Sequence, residues 1–353
     1  MSKRYVVLLA MCFCAASVGR PAGQKLDYPA AKPGDQGYVA EDPQLARFVG
    51  RPGPSITLRA IDGGTINIVK NYGRKPIYLK LWATYCLPCR AQMPGLEKIY
   101  ESFGDRMQIV AVNAGVGDDA AKVRAFVTGT KLRMPVAIDD GSLGAWLRMD
   151  STPVHVLIGS DGRIAYAGHQ DGPQLDAAIQ RVLASAPTNA SIEAATIESV
   201  ATLKRGDLVP ALDLRGPDDR PVRLTRGPTA RPRAILFTST WCESYLKDTE
   251  PATVEACRRA RELVDELSQT GTIDWLGVAA HLWTTPKALL SYEARMKTRV
   301  PMAVDSDGQA FRVFGIGRLP AVALIGADGR LVRMVGPDDG DLTAAVNKLT
   351  ARP

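Results

Sequence analysis

The chain has few histidines and cysteines, the residues that build structural zinc sites, and they do not cluster along the sequence. Among 353 residues there are only three histidines and six cysteines. The histidines, His155, His169 and His281, lie far apart, and Cys86 and Cys89 form the single Cys-x-x-Cys. A structural zinc site needs four close ligands, so a second cysteine pair or a histidine cluster would be required. We therefore expect no metal.

Long runs of like charge are also missing. Lys and Arg number 44 against 37 Asp and Glu, which gives a net charge of +7. The basic residues are scattered and form only short clusters, as at Arg231–Arg233 and Arg258–Arg259. A nucleic-acid-binding surface usually needs a concentrated basic patch. The sequence thus predicts an ordinary solvated surface and no nucleic-acid partner.

Beyond the N-terminus, the sequence contains no apolar run long enough to cross a bilayer. The apolar run Tyr5–Val18 follows the positive pair Lys3–Arg4 and precedes small residues. This pattern is typical of a secretory signal peptide, and the run is short for a membrane span. We expect residues 1–19 to direct export. An uncleaved membrane anchor and lipid attachment at Cys12 or Cys14 are the alternatives.

Four of the six cysteines follow residue 19. They are fewer and less evenly spread than in domains that depend on disulfides for their stability. Cys86 and Cys89 come after the apolar run 76–81, which predicts a buried strand, and before residues 90–103, which predict a helix. Two cysteines in the first helical turn can close a disulfide, and the helix N-terminus favours a thiolate on the first. The pair therefore predicts a redox-active disulfide that needs no other cofactor.

The other two cysteines, Cys242 and Cys257, are harder to pair. If Cys242 began a helix, Cys257 would lie about 22 Å further along it at 1.5 Å per residue. A disulfide tolerates Cα separations of only about 4.4–6.8 Å. We expect no bond between them unless the helix breaks, for example near Pro251. Cys242 is then a candidate second thiol, with a decayed remnant or a core-filling cysteine as alternatives.

The sequence is a duplication. The apolar run and turn at Cys86 return at Cys242, with Tyr245 where the first copy has Cys89. Pro54 precedes Cys86 by 32 residues, as Pro210 precedes Cys242. The other matching segments are 50–54 with 206–210 and 153–163 with 320–330. The second copy carries about 11 extra residues, which we expect within 258–272. A repeat of this length is a duplicated domain and not a solenoid unit.

In each copy, strand-like runs alternate with helical segments and end in a hairpin, which indicates an α/β sheet covered by helices. The predicted segments are a signal peptide at 1–19, a flexible tether at 20–48, a first domain at 49–184, a linker at 185–202 and a second domain at 203–350.

These residues resemble the thioredoxin superfamily, and more narrowly the exported bacterial thiol-disulfide oxidoreductases of the TlpA/ResA type. The matching elements are Trp82-Ala83-Thr84, Pro88 between the cysteines, Pro94 in the helix, and Thr152-Pro153 before a late strand. The resemblance implies two tandem thioredoxin-like folds, each with a central mixed sheet flanked by helices.

The resemblance also implies roles for individual residues. Cys86 would be the exposed nucleophile and Cys89 the buried resolving thiol. Thr152 and Pro153 would be joined by a cis peptide bond beside them and would dock an extended substrate, with Trp82 also in the substrate-binding region.

The chain departs from the family pattern at three positions. Lys80 stands where thioredoxin carries a buried acid, and Gln92 stands where this subfamily often has Glu, so both candidate proton-transfer carboxylates are absent. Lys80 can stabilise a thiolate, or its stem can simply pack in the core. Tyr245 removes the resolving cysteine from the second copy. His155 is expected to pack within a strand, with a role near the disulfide as the alternative.

The leading hypothesis is an exported, periplasmic protein disulfide reductase that acts through Cys86 and Cys89. The resemblance implies protein disulfide substrates, including apocytochrome c, and a membrane thiol protein as electron donor. The second domain would bind or position a client. The alternatives are a non-catalytic client-binding scaffold and a thiol peroxidase. The peroxidase pattern has a proline and a threonine where this chain has Leu79 and Ala83 in the first copy, and Ile235 and Ser239 in the second.

Overall fold

The computed structural model describes residues 42–187 and 192–351. The predicted signal peptide and nearly all of the predicted tether lie outside these residues. The elements of the first half are α1 Pro43–Ala46, β1 Pro54–Ser55, β2 Thr57–Ala60, β3 Thr65–Asn67, β4 Ile77–Trp82, α2 Leu87–Phe103, β5 Gln108–Asn113, α3 Ala120–Thr130, β6 Val136–Ile138, α4 Ser142–Leu147, β7 Val154–Ile158, β8 Ile164–Gly168 and α5 Pro173–Ala184, with a 3-10 turn at Val69–Asn71.

The second half repeats this series after a short strand from the connecting segment. Its elements are β9 Ala195–Thr196, β10 Leu212–Arg215, β11 Pro221–Leu224, β12 Arg233–Thr238, α6 Pro251–Ser268, β13 Asp274–Ala280, α7 Pro286–Met296, β14 Met302–Asp305, α8 Gln309–Phe314, β15 Ala321–Ile325, β16 Leu331–Val335 and α9 Leu342–Thr350.

Each half is built on a seven-stranded mixed sheet, and the strand order is the same in both. The orders are β3-β2-β6-β5-β4-β7-β8 and β11-β10-β14-β13-β12-β15-β16. In each sheet the three central strands run parallel, and the flanking strands pair antiparallel. This confirms the predicted α/β class, with two tandem mixed sheets flanked by helices.

Strands β4 and β12, each among the three central strands of its sheet, are largely apolar because both of their faces are covered. All six residues of β4 are buried, as are all six of β12. Such two-sided burial gives a nearly continuous apolar run in place of alternation. Helix α2 turns a single stripe towards β4, formed by Cys89, Met93, Leu96 and Ile99. The strand end and the helix start are thereby fixed on either side of the first cysteine pair.

Most of the extra residues of the second copy lie before its long helix, which corrects the expected placement within 258–272. Helix α2 begins directly after Cys86, whereas α6 begins at Pro251, nine residues after Cys242. The two helices have similar lengths, 17 and 18 residues. Pro251 occupies the first turn of α6, where its missing N–H costs nothing. The intervening residues 243–250 form turns instead of helix.

Because Cys242 is not helical, the chain folds back and Cys242 forms a disulfide with Cys257. Their Cα atoms are 6.4 Å apart. The two cysteines were expected to stay unpaired if one unbroken helix joined them. In the structure the helix begins only at Pro251, so they can pair. Cys242 is therefore not the free second thiol that the sequence suggested.

The segments flanking the first half are more structured than predicted. Residues at the end of the predicted tether form α1, and Leu45 and Phe48 are buried against the first half. In the predicted linker, β9 pairs parallel with β1. One large apolar cluster contains buried residues of both halves. Among the described residues, no helix has the length and apolar character to cross a membrane.

The Cys242–Cys257 bond should stabilise the second half by restricting its unfolded chain. The bond closes a loop with a sequence separation of 15 residues. Replacing both cysteines by serine should lower the free energy of unfolding by about 3 kcal/mol. Urea unfolding under oxidising conditions measures this. In a strong reductant the wild type should lose its advantage over the double variant. Equal urea midpoints under oxidising conditions would contradict the expectation.

Candidate redox site

The first cysteine pair lies where β4 ends and α2 begins. Cys86 is the N-cap of α2, and the backbone N–H of Cys89 donates to the Cys86 sulfur at 3.1 Å. The two residues are joined in a disulfide with their Cα atoms 5.2 Å apart. A free N–H of the first helical turn aimed at a sulfur favours its thiolate form once the disulfide is reduced. The geometry therefore fits Cys86 as the attacking sulfur. Cys86 is 0% exposed, however, which corrects the exposed position expected for it.

The Thr152–Pro153 peptide bond is cis, and it lies beside the cysteines. The carbonyl oxygen of Thr152 is 3.6 Å from the Cys86 sulfur. The Thr152 hydroxyl is buried and has no hydrogen-bond partner within the described parts of the chain. Thr152 and Pro153 are thus at the site, as the sequence predicted.

Trp82 is not on the substrate side of the site. Its side chain is 0% exposed, and its ring packs on Phe126 with centroids 5.0 Å apart. Trp82 therefore belongs to the core beneath the turn, which corrects the substrate-binding role expected for it.

Below the disulfide, five polar side chains form one buried hydrogen-bond network. Lys80 donates to Gln92 Oε1, and Gln92 Nε2 donates to Asp171 Oδ1 at 3.0 Å. His155 Nε2 lies 3.2 Å from Gln92 Oε1, and the Tyr78 hydroxyl lies 2.6 Å from His155 Nδ1. These distances fit a neutral His155 that donates from Nε2 and accepts at Nδ1. The structure thus joins the two candidate modulators, Lys80 and Gln92, directly.

Burial controls the charges of this network. Desolvation lowers the pKa of Lys80 to about 7, although the Asp171 carboxylate opposes this. Desolvation, and then the positive charge of Lys80, hold the pKa of His155 well below its ordinary value. The pKa of Asp171 is raised by burial, with Lys80 acting against the increase. Near neutral pH, Lys80 can therefore both hold and release a proton.

Asp171 supplies a carboxylate that sequence reasoning missed. It lies in the loop between β8 and α5, 79 residues from its partner Gln92. Gln92 is three residues after Cys89 on α2, so the network begins one helical turn from the resolving position. A loop aspartate carries no local signal for such a contact. The alternative suggested for His155, a place near the disulfide, is the one the network favours.

The second half packs its own cysteine turn against this site. The ring of Tyr85 stacks on Trp241 with centroids 4.7 Å apart, and Trp283 contacts both rings at 5.8 Å. The backbone N–H of Leu87 donates to the Tyr245 hydroxyl at 3.1 Å. Tyr245, which replaces the resolving cysteine in the second copy, thus contacts the active turn of the first.

The second copy keeps part of the same geometry around its own disulfide. The Leu319–Pro320 bond is cis, as Thr152–Pro153 is in the first copy. Cys242 and Cys257 are both buried.

Within residues 42–187 and 192–351, one group of side chains has ligand atoms close enough for a metal ion. Asp42, Asp150 and His169 each offer one such atom, and these atoms lie within 4.8 Å of one another. Asp150 is exposed. His169 Nδ1 is 2.7 Å from the Pro153 carbonyl oxygen, which already explains its position.

Comparisons with known proteins match part of the chain. A model of the AhpC/TSA family matches residues 49–167. The thioredoxin-like protein YneN of Bacillus subtilis is 32% identical over 116 residues, which are 33% of this chain and 68% of the relative. A thiol-disulfide oxidoreductase ResA of Bacillus cereus is 28% identical over 152 residues, 42% of this chain and 84% of the relative. A solved thiol:disulfide interchange protein of the thioredoxin family from Chlorobium tepidum aligns with a TM-score of 0.33 at 18% identity, covering 37% of this chain and 95% of that one.

The buried Lys80 should make stability depend on pH in a predictable direction. Its pKa is about 7 in the folded chain against 10.5 ordinarily, so the unfolded chain binds more protons between these values. Stability should therefore rise with pH across this window and be lost as pH falls towards 7. Replacing Lys80 by Met removes this term. From pH 9.5 to 7.5 the advantage of Lys80→Met over wild type should grow by about 2–3 kcal/mol.

Urea unfolding at a series of pH values measures the difference. Lys70→Met, at an exposed lysine of the same half, is the matched control and should run parallel to wild type. A Lys80→Met curve parallel to wild type would mean that Lys80 is not desolvated in the folded protein.

Proposed function

Because the chain belongs to the thioredoxin-like AhpC/TSA family, we propose that it is an exported thiol-disulfide oxidoreductase that reduces disulfides of other proteins through Cys86 and Cys89. The observation that carries this is the position of Cys86. Its sulfur accepts the Cys89 N–H at the start of α2 and lies beside the Thr152 carbonyl that precedes a cis proline.

The proposed reaction has two exchange steps. The Cys86 thiolate attacks one sulfur of a substrate disulfide, a mixed disulfide forms, and the other substrate sulfur leaves as a thiolate and takes up a proton. Cys89 then loses its proton and its thiolate attacks the Cys86 sulfur, which releases the second substrate thiol. Two electrons and two protons pass to the substrate, and Cys86–Cys89 becomes a disulfide. No group beyond this disulfide is required.

The buried network offers a route for the Cys89 proton. Gln92 lies one helical turn beyond Cys89 and accepts from Lys80, whose pKa of about 7 suits exchange near neutral pH. The Asp171 carboxylate holds the other side of Gln92. In this proposal Lys80 takes the part that a buried acid plays elsewhere in the superfamily.

The direction, location and partners of the reaction are part of the proposal. Reduction of periplasmic protein disulfides, including those of apocytochrome c, is supported by the resemblance to the TlpA/ResA type. An oxidising compartment does not return electrons to Cys86–Cys89, so a membrane thiol protein would have to supply them.

The roles of the two cysteines can be separated by trapping. Cys89→Ser should accumulate mixed disulfides with client proteins, because the trapped sulfur has no resolving neighbour. Cys86→Ser should trap nothing. Non-reducing gels and mass spectrometry of the trapped species measure this, with the wild type as the control that should resolve its clients. Equal trapping by Cys89→Ser and Cys86→Ser would refute the assignment.

The reduction potential tests the direction of electron flow. For a reductase we expect a value near that of thioredoxin, roughly −270 mV, while an oxidant would lie near −120 mV. The measurement is equilibration with dithiothreitol buffers. The double Cys242→Ser and Cys257→Ser variant should be used, so that only Cys86–Cys89 contributes. A value near −120 mV would reverse the proposed direction.

A further inference from the structure

Most of the extra residues of the second copy lie at the active turn of the first. Residues 241–250 run from the aromatic before Cys242 to the residue before α6, and they form turns. We call this segment the wall. Its members Trp241, Tyr245 and Glu250 all contact the first half.

The wall touches the residues on both sides of Cys86. Trp241 stacks on Tyr85, which precedes Cys86, and Tyr245 accepts from Leu87, which follows it. Cys86 itself is 0% exposed. A reacting disulfide has to reach the Cys86 sulfur in line with its own S–S bond. Atoms that flank this sulfur therefore decide what can approach it.

The wall is held firmly from the second half. Cys242 is bonded to Cys257 on α6. Glu243 is buried and accepts from the Arg261 guanidinium at 2.8 and 3.1 Å and from the Tyr292 hydroxyl at 3.0 Å. A bidentate pair of this kind fixes position as well as charge.

A salt bridge ties the far end of the wall to the first half. Glu250 pairs with Lys122 at 2.6 Å, and Lys122 also pairs with the buried Asp118. The wall is thus attached at both ends and in the middle, and substrate cannot displace it without breaking several contacts.

Two exposed apolar side chains lie beside the active turn. Leu87 and Tyr245 are 51% and 40% exposed, and they are two of the four exposed large apolar residues among those the structure describes. They touch each other across the boundary between the halves. Because Leu87 follows Cys86 in the chain, this pair is an exposed apolar surface beside the buried Cys86 sulfur.

We propose that the wall selects the substrate of Cys86 by width, admitting an extended cysteine-containing segment or a small disulfide and excluding a disulfide set in a folded surface. The inference rests on the proposed function. Tyr245 is its specificity-determining residue, and Cys242, Cys257 and Glu243 are positioning residues for it.

The test uses Cys89→Ser as background, which leaves Cys86 as a free thiol while the Cys242–Cys257 bond stays closed without added reductant. The second-order rate of Cys86 modification is measured with N-ethylmaleimide and with the same maleimide on a small folded carrier protein, by mass spectrometry of the Cys86 peptide. Adding Tyr245→Ala should raise the carrier rate relative to the small-reagent rate about tenfold, equivalent to ~1.4 kcal/mol.

Three further variants sharpen the result. Tyr245→Phe keeps the ring and should leave the ratio near its starting value. Leu290→Ala, at an exposed leucine of α7, is the matched control and should change nothing. Opening the wall by Cys242→Ser with Cys257→Ser should move the ratio in the same direction as Tyr245→Ala, so the inference does not depend on one variant.

The pH profile of the small-reagent rate separates access from acidity. A change in the Cys86 thiolate fraction alters the carrier rate and the small-reagent rate equally, so the wall predicts that Tyr245→Ala raises their ratio at every pH. A shifted midpoint with an unchanged size ratio would overturn the inference. If Cys89→Ser traps clients but Tyr245→Ala leaves the ratio of the carrier rate to the small-reagent rate unchanged, selection by the wall is refuted and the proposed function stands. A changed ratio without any client trapping would refute the proposed function and leave the wall standing.

Discussion

The stacking of Tyr85 on Trp241 brings the same turn of the two copies face to face. Each of these rings immediately precedes the first cysteine of its copy. The contact therefore also fixes how far apart the two cysteine turns lie. A buried aromatic pair contributes about 0.5–1.5 kcal/mol beyond its area, and Trp283 adds edge contacts to both rings. Once these rings are packed, Tyr245 and Leu87 are within hydrogen-bond distance. The relation between the halves is therefore part of the redox site.

This packing gives the second copy a use that does not need a resolving cysteine. A thiol at position 245 would be too short to reach Leu87 across the boundary, whereas a tyrosine spans it with a hydroxyl that accepts the free N–H. That N–H belongs to the first turn of α2, which lacks an intrahelical acceptor. The second copy also retains the same strand order and a cis proline at the corresponding position.

Much of this architecture could be predicted from the sequence, because it rests on local pattern. The apolar runs at β4 and β12 and the cysteine pair at the start of α2 identified the fold and the site. The Cys242–Cys257 bond depended on where α6 begins. Its only local signal was Pro251, which suits a first helical turn as well as a break. Asp171 could not be placed, because its contact with Gln92 joins a loop to a helix far away in the sequence. Trp82 was misjudged because closeness to Cys86 in sequence says little about which face of the turn a side chain occupies.

A lysine in place of a buried acid at position 80 alters proton transfer less than the opposite charges of the two residues suggest. Burial disfavours whichever form is charged, so it raises the pKa of an acid and lowers that of a lysine. Both residues then move towards neutral pH from opposite sides, and Lys80 arrives at about 7. Either can pass a proton at that pH, so the proposed proton route needs a titratable group here more than it needs a carboxylate. The sign still matters for the sulfurs, because an ammonium favours a thiolate and a carboxylate opposes it. Stabilising the reduced form makes a disulfide more oxidising. The Asp171 carboxylate, held on the far side of Gln92, offsets part of that positive charge, so a lysine at this position remains compatible with the proposed reductase.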